Sequence, residues 1–125
     1  MAVEISKSQQ AGIQVVALSG RVSGAEVPRL TEQLVELKDQ ARPEAPQRVV
    51  LDATALDNLP SAVVGALLEA IRALEGAGGR LVLAAPNAAI KVVLERLGVS
   101  DLVTSFKSLD EAIKALAATN GATGQ

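Results

Sequence analysis

Apolar and polar residues alternate over Val3-Glu4-Ile5-Ser6-Lys7, the period-two pattern of a half-buried strand. Gln9-Gln10-Ala11-Gly12 reads as a turn in which Gly12 can take positive φ, and Ile13 to Leu18 reads as a second strand. A connection this short makes the two strands antiparallel, so the chain opens with a hairpin that ends at Ser19-Gly20. Val27, Leu30, Leu34 and Leu37 then share one helical face. Ahead of them Ser23-Gly24-Ala25-Glu26 has the S-x-x-E form of a capping box. Pro28 is tolerated only in a first turn, which puts the start of this helix near Ala25 or Glu26. Pro43-Glu44-Ala45-Pro46 is a loop.

Arg48-Val49-Val50-Leu51-Asp52-Ala53 is almost continuously apolar, as a central strand covered on both faces must be. After Leu56-Asp57-Asn58-Leu59-Pro60-Ser61, a stripe of Val63, Val64, Leu67, Leu68, Ile71 and Leu74 predicts a second helix, with Glu69, Arg72 and Glu75 on its wet side. Gly76, Gly78 and Gly79 stop it. Arg80 to Ala85 is the next strand, and Pro86-Asn87 opens a third helix with Ile90, Val93, Leu94 and Leu97 inward and Gly98 as its stop. A short strand is expected at Leu102-Val103-Thr104. A second capping box, Ser108-Leu109-Asp110-Glu111, opens a fourth helix that turns Leu109, Ala112, Ile113 and Leu116 inward. The order β-β-α-β-α-β-α-β-α predicts a single α/β domain over 1–118: a mixed sheet, hairpin first and parallel strands after, packed with about four helices. Residues 119–125 are small and polar and are expected to form a flexible tail. The expected core includes Val50, Leu51, Leu67, Leu68, Leu83, Ile90 and Leu94.

Composition narrows the chemistry. The 125 residues are 49% hydrophobic, enough for one self-sufficient domain. Twelve Lys and Arg against 14 Asp and Glu leave a net charge of −2, which gives no reason to expect a nucleic-acid partner. His and Cys are both 0, which removes Ser-His-Asp and Cys-His nucleophile systems and His/Cys metal sites. With Trp and Tyr at 0 and a single Phe, there is no platform for stacking bases. What survives is carboxylate or Lys chemistry, phosphate chemistry, or binding. The N-terminus does not have the form of a signal peptide. The apolar run Ala62 to Leu68 is far short of the ~20 residues a membrane span requires. The expectation is a cytoplasmic protein without direct membrane insertion.

The junction from Leu56 to Val64 is the most informative stretch. In open α/β sheets, ligands gather beyond the carboxyl ends of parallel strands. Ser61 stands at the mouth of a helix, where free backbone N–H groups favour an anion such as a phosphate. Local chemistry alone favours the plainer reading, in which Ser61 caps the helix or lies in its first turn, with Asn58 or Asp57 as N-cap and Pro60 near the first helical position. Asp52, Asp57 and Asn58 supply only two local carboxylates, too few for a metal site. Gly76-Ala77-Gly78-Gly79 precedes a strand and lacks the phosphate-loop pattern, so no cofactor is expected. Arg21, Lys91, Arg96 and Lys107 are scattered and read as solvated surface charge.

Taken in order, several segments resemble the STAS domain, the module of sulfate transporters and anti-sigma-factor antagonists. They are Ala17-Leu18-Ser19-Gly20-Arg21-Val22-Ser23, Val49-Val50-Leu51-Asp52-Ala53, Ser61 at the next helix, Gly78-Gly79-Arg80-Leu81-Val82-Leu83, Leu94-Glu95-Arg96-Leu97-Gly98-Val99, and Phe106-Lys107-Ser108-Leu109-Asp110-Glu111-Ala112-Ile113. The resemblance spans Val3 to Leu116. It implies a partner-switching protein without enzymatic activity, which binds an anti-sigma factor that is also a serine kinase. That kinase phosphorylates a serine at the start of the second helix, and a PP2C-like phosphatase resets the switch. Ser61 matches the phosphoacceptor. Ser23, Asp57, Asn58, Pro60, Ala62 and Val63 match the surrounding partner-binding surface. The family's usual run is Asp-Ser-Ser-Gly where this chain has Pro60-Ser61-Ala62-Val63, and it often has Asp in place of Ser23. The alternative reading is a constitutive STAS scaffold or accessory subunit of a stressosome, transporter or chemosensory complex, with Ser61 only a cap. A homodimer is compatible with either.

Overall fold

In the computed structural model the backbone is described over residues 3–123 and the side chains through Ala118. The tail expected over 119–125 therefore lies outside the residues described in full. Strands β1 (Glu4–Gln10) and β2 (Ile13–Gly20) form the opening hairpin. Its turn is only Ala11-Gly12, both with positive φ (54° and 77°), the two-residue geometry that matches the natural twist of paired strands. Gln9 and Gln10, expected in the turn, belong to β1. This strand lies at the edge of the sheet and is almost wholly exposed, so polar residues cost it little. Next come α1 (Val27–Asp39), β3 (Arg48–Leu56), α2 (Ser61–Gly76), β4 (Arg80–Ala84), α3 (Ala88–Arg96), β5 (Ser105–Phe106) and α4 (Leu109–Thr123). The five strands lie in the order β1-β2-β3-β4-β5, with β1 and β2 antiparallel and the other neighbours parallel. The element order is the one the pattern predicts.

Alternation along β3 sorts the core into two layers. Val49, Leu51 and Ala53 pack with Leu30, Leu34 and Leu37 of α1, with the apolar stripe of α2, and with Ile90 and Leu94 of α3. Val50 faces the other way, with Ile13, Val82, Ala84, and Ala112 and Leu116 of α4. The near-continuous apolar run of β3 follows from this double cover. Leu68 is only half-buried, at the margin of the first layer. Among the described residues no helix is long and apolar enough to cross a membrane.

Helices α2 and α3 end in the same way. Gly78 (φ 90°) donates to the carbonyl of Glu75 at 3.0 Å and Gly79 to that of Leu74 at 2.8 Å. Gly98 (φ 70°) and Val99 repeat the pattern on Glu95 and Leu94, both at 3.0 Å. This double closure satisfies the last carbonyls and needs a left-handed residue, which glycine supplies. It also leaves Leu97, expected inward, 45% exposed at the cap position. The expected strand at Leu102-Val103-Thr104 is displaced. Ser100–Leu102 is a single 3-10 turn, Leu102 is 52% exposed, and β5 forms one step later, where Ser105 pairs with Leu83 and Phe106 with Ala84. Over three residues a strand and a turn have the same apolar signature, and only Val103 buries itself.

The two capping boxes fare differently. Ser108 Oγ accepts the Glu111 N–H at 3.1 Å and caps α4. The Ser23 side chain makes no cap, and a 3-10 turn, Gly24–Glu26, intervenes before α1. The Glu26 carboxylate is recruited elsewhere. It accepts the Val3 N–H at 3.1 Å and pairs with Arg29 at 3.5 Å, while Arg29 donates to the Val3 carbonyl. A buried N-terminal residue thus takes the acid that the S-x-x-E pattern assigns to the helix.

Candidate functional site

Because β2 and β3 are parallel, with Gly20 opposite Leu56, their carboxyl ends reach the same edge of the sheet and the loops that follow are neighbours. Polar clasps fix them. The Asp57 N–H donates to the Gly20 carbonyl at 2.9 Å. Asn58 Oδ1 accepts the Val22 N–H at 2.8 Å, and its Nδ2 donates to the Val22 carbonyl at 2.9 Å. From the other side, Asn87 Nδ2 donates to the carbonyls of Leu56 (3.2 Å) and Asp57 (3.0 Å), and its Oδ1 caps α3 by accepting the Ile90 N–H at 2.9 Å. Leu59 (5% exposed) anchors the loop from below. Residues 56–59 are thereby held on three sides, and the start of α2 is held with them.

Pro60, extended at φ −63° and ψ 143°, occupies the N-cap position of α2, and Ser61 is the first helical residue. Neither Asn58 nor Asp57 is the N-cap, and Pro60 is not inside the helix; the Asn58 side chain is engaged with Val22 instead. No side chain caps this helix. The exposed Ser61 hydroxyl therefore lies in the first turn without capping it. No hydrogen bond to it is formed among the described residues. The Val63 N–H donates to the Pro60 carbonyl at 2.9 Å, which leaves the N–H groups of Ser61 and Ala62 as the open donors at the positive end of the helix dipole.

The expected surface residues separate into two groups. Ser23, Asp57, Ser61 and Ala62 are exposed, and Pro60 is half-buried. They are gathered on one edge by the clasp between the loops. Asn58 is half-buried and serves as the clasp itself. Val63 is a correction: at 0% exposure it belongs to the core beneath α2 and offers no contact to a partner. Gly24, Ala25 and Gly65, which the pattern does not single out, are also exposed. A Cβ built on Gly24 or Gly65 meets nothing within 4 Å, so neither is glycine for the sake of internal packing. Gly65 lies four residues after Ser61, a spacing that places both on one helix face and that could have flagged it.

Asp52, read with Asp57 and Asn58 as a weak cation candidate, instead accepts the backbone N–H of Thr54 (3.0 Å) and its hydroxyl. Among the described residues no group of three or more potential ligands is assembled. This edge thus has the makings of a docking face: the exposed hydroxyls of Ser23 and Ser61, one carboxylate, small side chains and a helix end with open donors.

The family model for the STAS domain matches residues 4–112. The chain belongs to the STAS domain family. Among solved structures this STAS domain is similar to an anti-sigma factor antagonist from Mycobacterium paratuberculosis (TM-score 0.76, 20% identity, covering 92% of this chain and 94% of that one). It is similar to the unphosphorylated form of the anti-sigma factor antagonist SpoIIAA (0.70, 19%, 92% and 97%), a cell fate determinant of Bacillus. It also resembles a serine-to-glutamate variant of RsbS from Moorella thermoacetica (0.72, 20%, 93% and 97%). No curated protein matches the chain.

Proposed function

We propose that this STAS domain is a regulatory binding module of the anti-sigma-factor-antagonist type. In this reading it acts in the cytoplasm, docks onto a serine-kinase anti-sigma factor through the surface around Ser61, and is released when that kinase phosphorylates Ser61. A PP2C-like phosphatase resets it. The observation that carries the reading is the uncapped start of α2 with Ser61 exposed on it. A serine that served the fold there would be spent as a cap. This one is not, so its hydroxyl is available to chemistry from outside.

The same geometry accounts for a switch that acts on binding and spares the fold. A phosphoryl group brings about −1.5 to −2 charges at pH 7. At a helix N-terminus that charge is favoured by ~0.3–1 kcal/mol. A partner packed over Ser61 would instead have to desolvate the charge or meet it with its own acids. The departures from the family's run are also smaller than the sequence suggests. Val63 stands in place of Gly but is directed into the core, and Ala62 keeps a small side chain on the surface. The outer chemistry changes at Pro60 and Ser23, which stand in place of acids, and at Ala62, which stands in place of a hydroxyl. In this reading the module acts by binding.

The test is phosphosite mapping by mass spectrometry after incubation with ATP and each anti-sigma-type serine kinase of the source genome. Phosphate on Ser61 is expected, and Ser61→Ala abolishes it. Phosphate only elsewhere, or none from kinases active on other substrates, would favour a constitutive scaffold or accessory subunit instead.

A further inference from the structure

A second concave site is lined by residues outside the Ser61 surface, and Asn87, beside its Pro86, ties it to the loop that leads to Ser61. Ala85, Pro86, Lys91, Ser105, Phe106 and Lys107 line a cleft of about 390 Å³, within the ~300–1,000 Å³ typical of small-molecule pockets. It is built from the ends of β4 and β5 and the first turns of α3. None of these elements contributes a residue to the surface around Ser61. As with that surface, it lies beyond the carboxyl ends of parallel strands, where open α/β sheets collect ligands.

Its lining is chemically one-sided. Lys91 and Lys107 are both exposed, and among the described residues neither side chain forms an ion pair or a hydrogen bond. The chain's other lysines, Lys7, Lys38 and Lys114, all have carboxylate partners at 3.2–3.4 Å. No carboxylate lines the cleft. Ser105 adds a hydroxyl donor. The remaining wall includes Phe106, the only aromatic residue in the chain, half-buried against the α4 layer. Two ammonium groups match a dianion better than a single carboxylate, and a phosphoryl group carries about that charge at pH 7. A phenyl face beside them suits a flat apolar group.

We propose that this cleft binds a small phosphorylated molecule with a flat apolar part, the phosphoryl group held by Lys91 and Lys107 and the flat part laid on Phe106. Phenyl phosphate is the probe, with methyl phosphate and sodium chloride as controls. Because the chain has no Trp, Tyr or His, the aromatic side-chain signals of carbon-13-labelled protein belong to Phe106 alone. Phenyl phosphate should shift them along a saturable curve, and methyl phosphate should bind more weakly. Lys107→Gln and Lys91→Gln should each weaken phenyl phosphate roughly tenfold, as loss of a charged partner does. Phe106→Leu, followed by phosphorus-31 line widths, should remove the preference for phenyl over methyl phosphate. All three variants should keep the wild-type melting temperature to within a few degrees. A linear, unsaturated response equal to that of chloride would overturn the proposal, as would undiminished binding by both lysine variants.

Discussion

Asn58 closes a two-way amide clasp on Val22: its side-chain oxygen accepts the Val22 N–H at 2.8 Å and its side-chain nitrogen donates to the Val22 carbonyl at 2.9 Å. The residues are 36 positions apart. The clasp joins the loop after β2, which carries Ser23, to the loop after β3, which leads into Ser61. Val22 is only 2% exposed, so water cannot readily replace the amide.

Replacing Asn58 by Ala should therefore cost about 2–3 kcal/mol, because a buried N–H and carbonyl lose their partners together. Asn58→Asp keeps the acceptor and loses the donor, and should lie between Ala and wild type. Urea unfolding measures both. The Ala variant should also weaken partner binding, because the two loops no longer hold a common register. A stability equal to wild type would mean that the clasp adds nothing to the fold.

Gly65 separates the needs of the fold from those of the surface. It lies inside α2 with open space where a Cβ would be. Gly65→Ala should raise stability by about 0.5–1 kcal/mol through helix propensity alone. Gly65→Trp should leave the melting temperature near that of wild type but weaken partner binding by tenfold or more. If the Gly65→Trp variant binds as well as wild type does, the partner does not cover this part of α2.

The two sides of α2 should respond unequally. Leu67 is 2% exposed in the larger core layer, and Leu67→Ala should cost about 2–5 kcal/mol. Glu69 is exposed, and its pair with Lys38 at 3.3 Å lies in solvent. Glu69→Ala should change stability by about 0.5 kcal/mol or less. Thermal unfolding of the two variants compares them directly, and equal effects would contradict the orientation of the helix.

What the sequence disclosed follows from what period and punctuation encode. The stripe of α2 and the continuous run of β3 come from burial on one and two faces, and both are legible. So are the helix stops at Gly78 and Gly98, since left-handed backbone favours glycine. Contacts distant in the sequence are not legible. Glu26 has the right spacing for a cap but is claimed by Val3, 23 residues away. Asn58 looks like an N-cap and is spent on Val22. The pattern places Ser61 at the mouth of its helix but does not choose between a capping and a free hydroxyl. Val63 misleads for a related reason. The family's run draws attention to consecutive residues, whereas a helix turns every third or fourth one inward.

Whether Ser61 is a switch is decided by a binding titration of the anti-sigma-factor kinase with three forms of the protein: wild type, Ser61→Ala, and wild type phosphorylated to completion at Ser61. Comparable affinity is expected for the first two. Binding at least about tenfold weaker is expected for the third, a loss of roughly 1.4 kcal/mol, with the melting temperature unchanged. Equal affinity for all three forms would contradict the proposed switch.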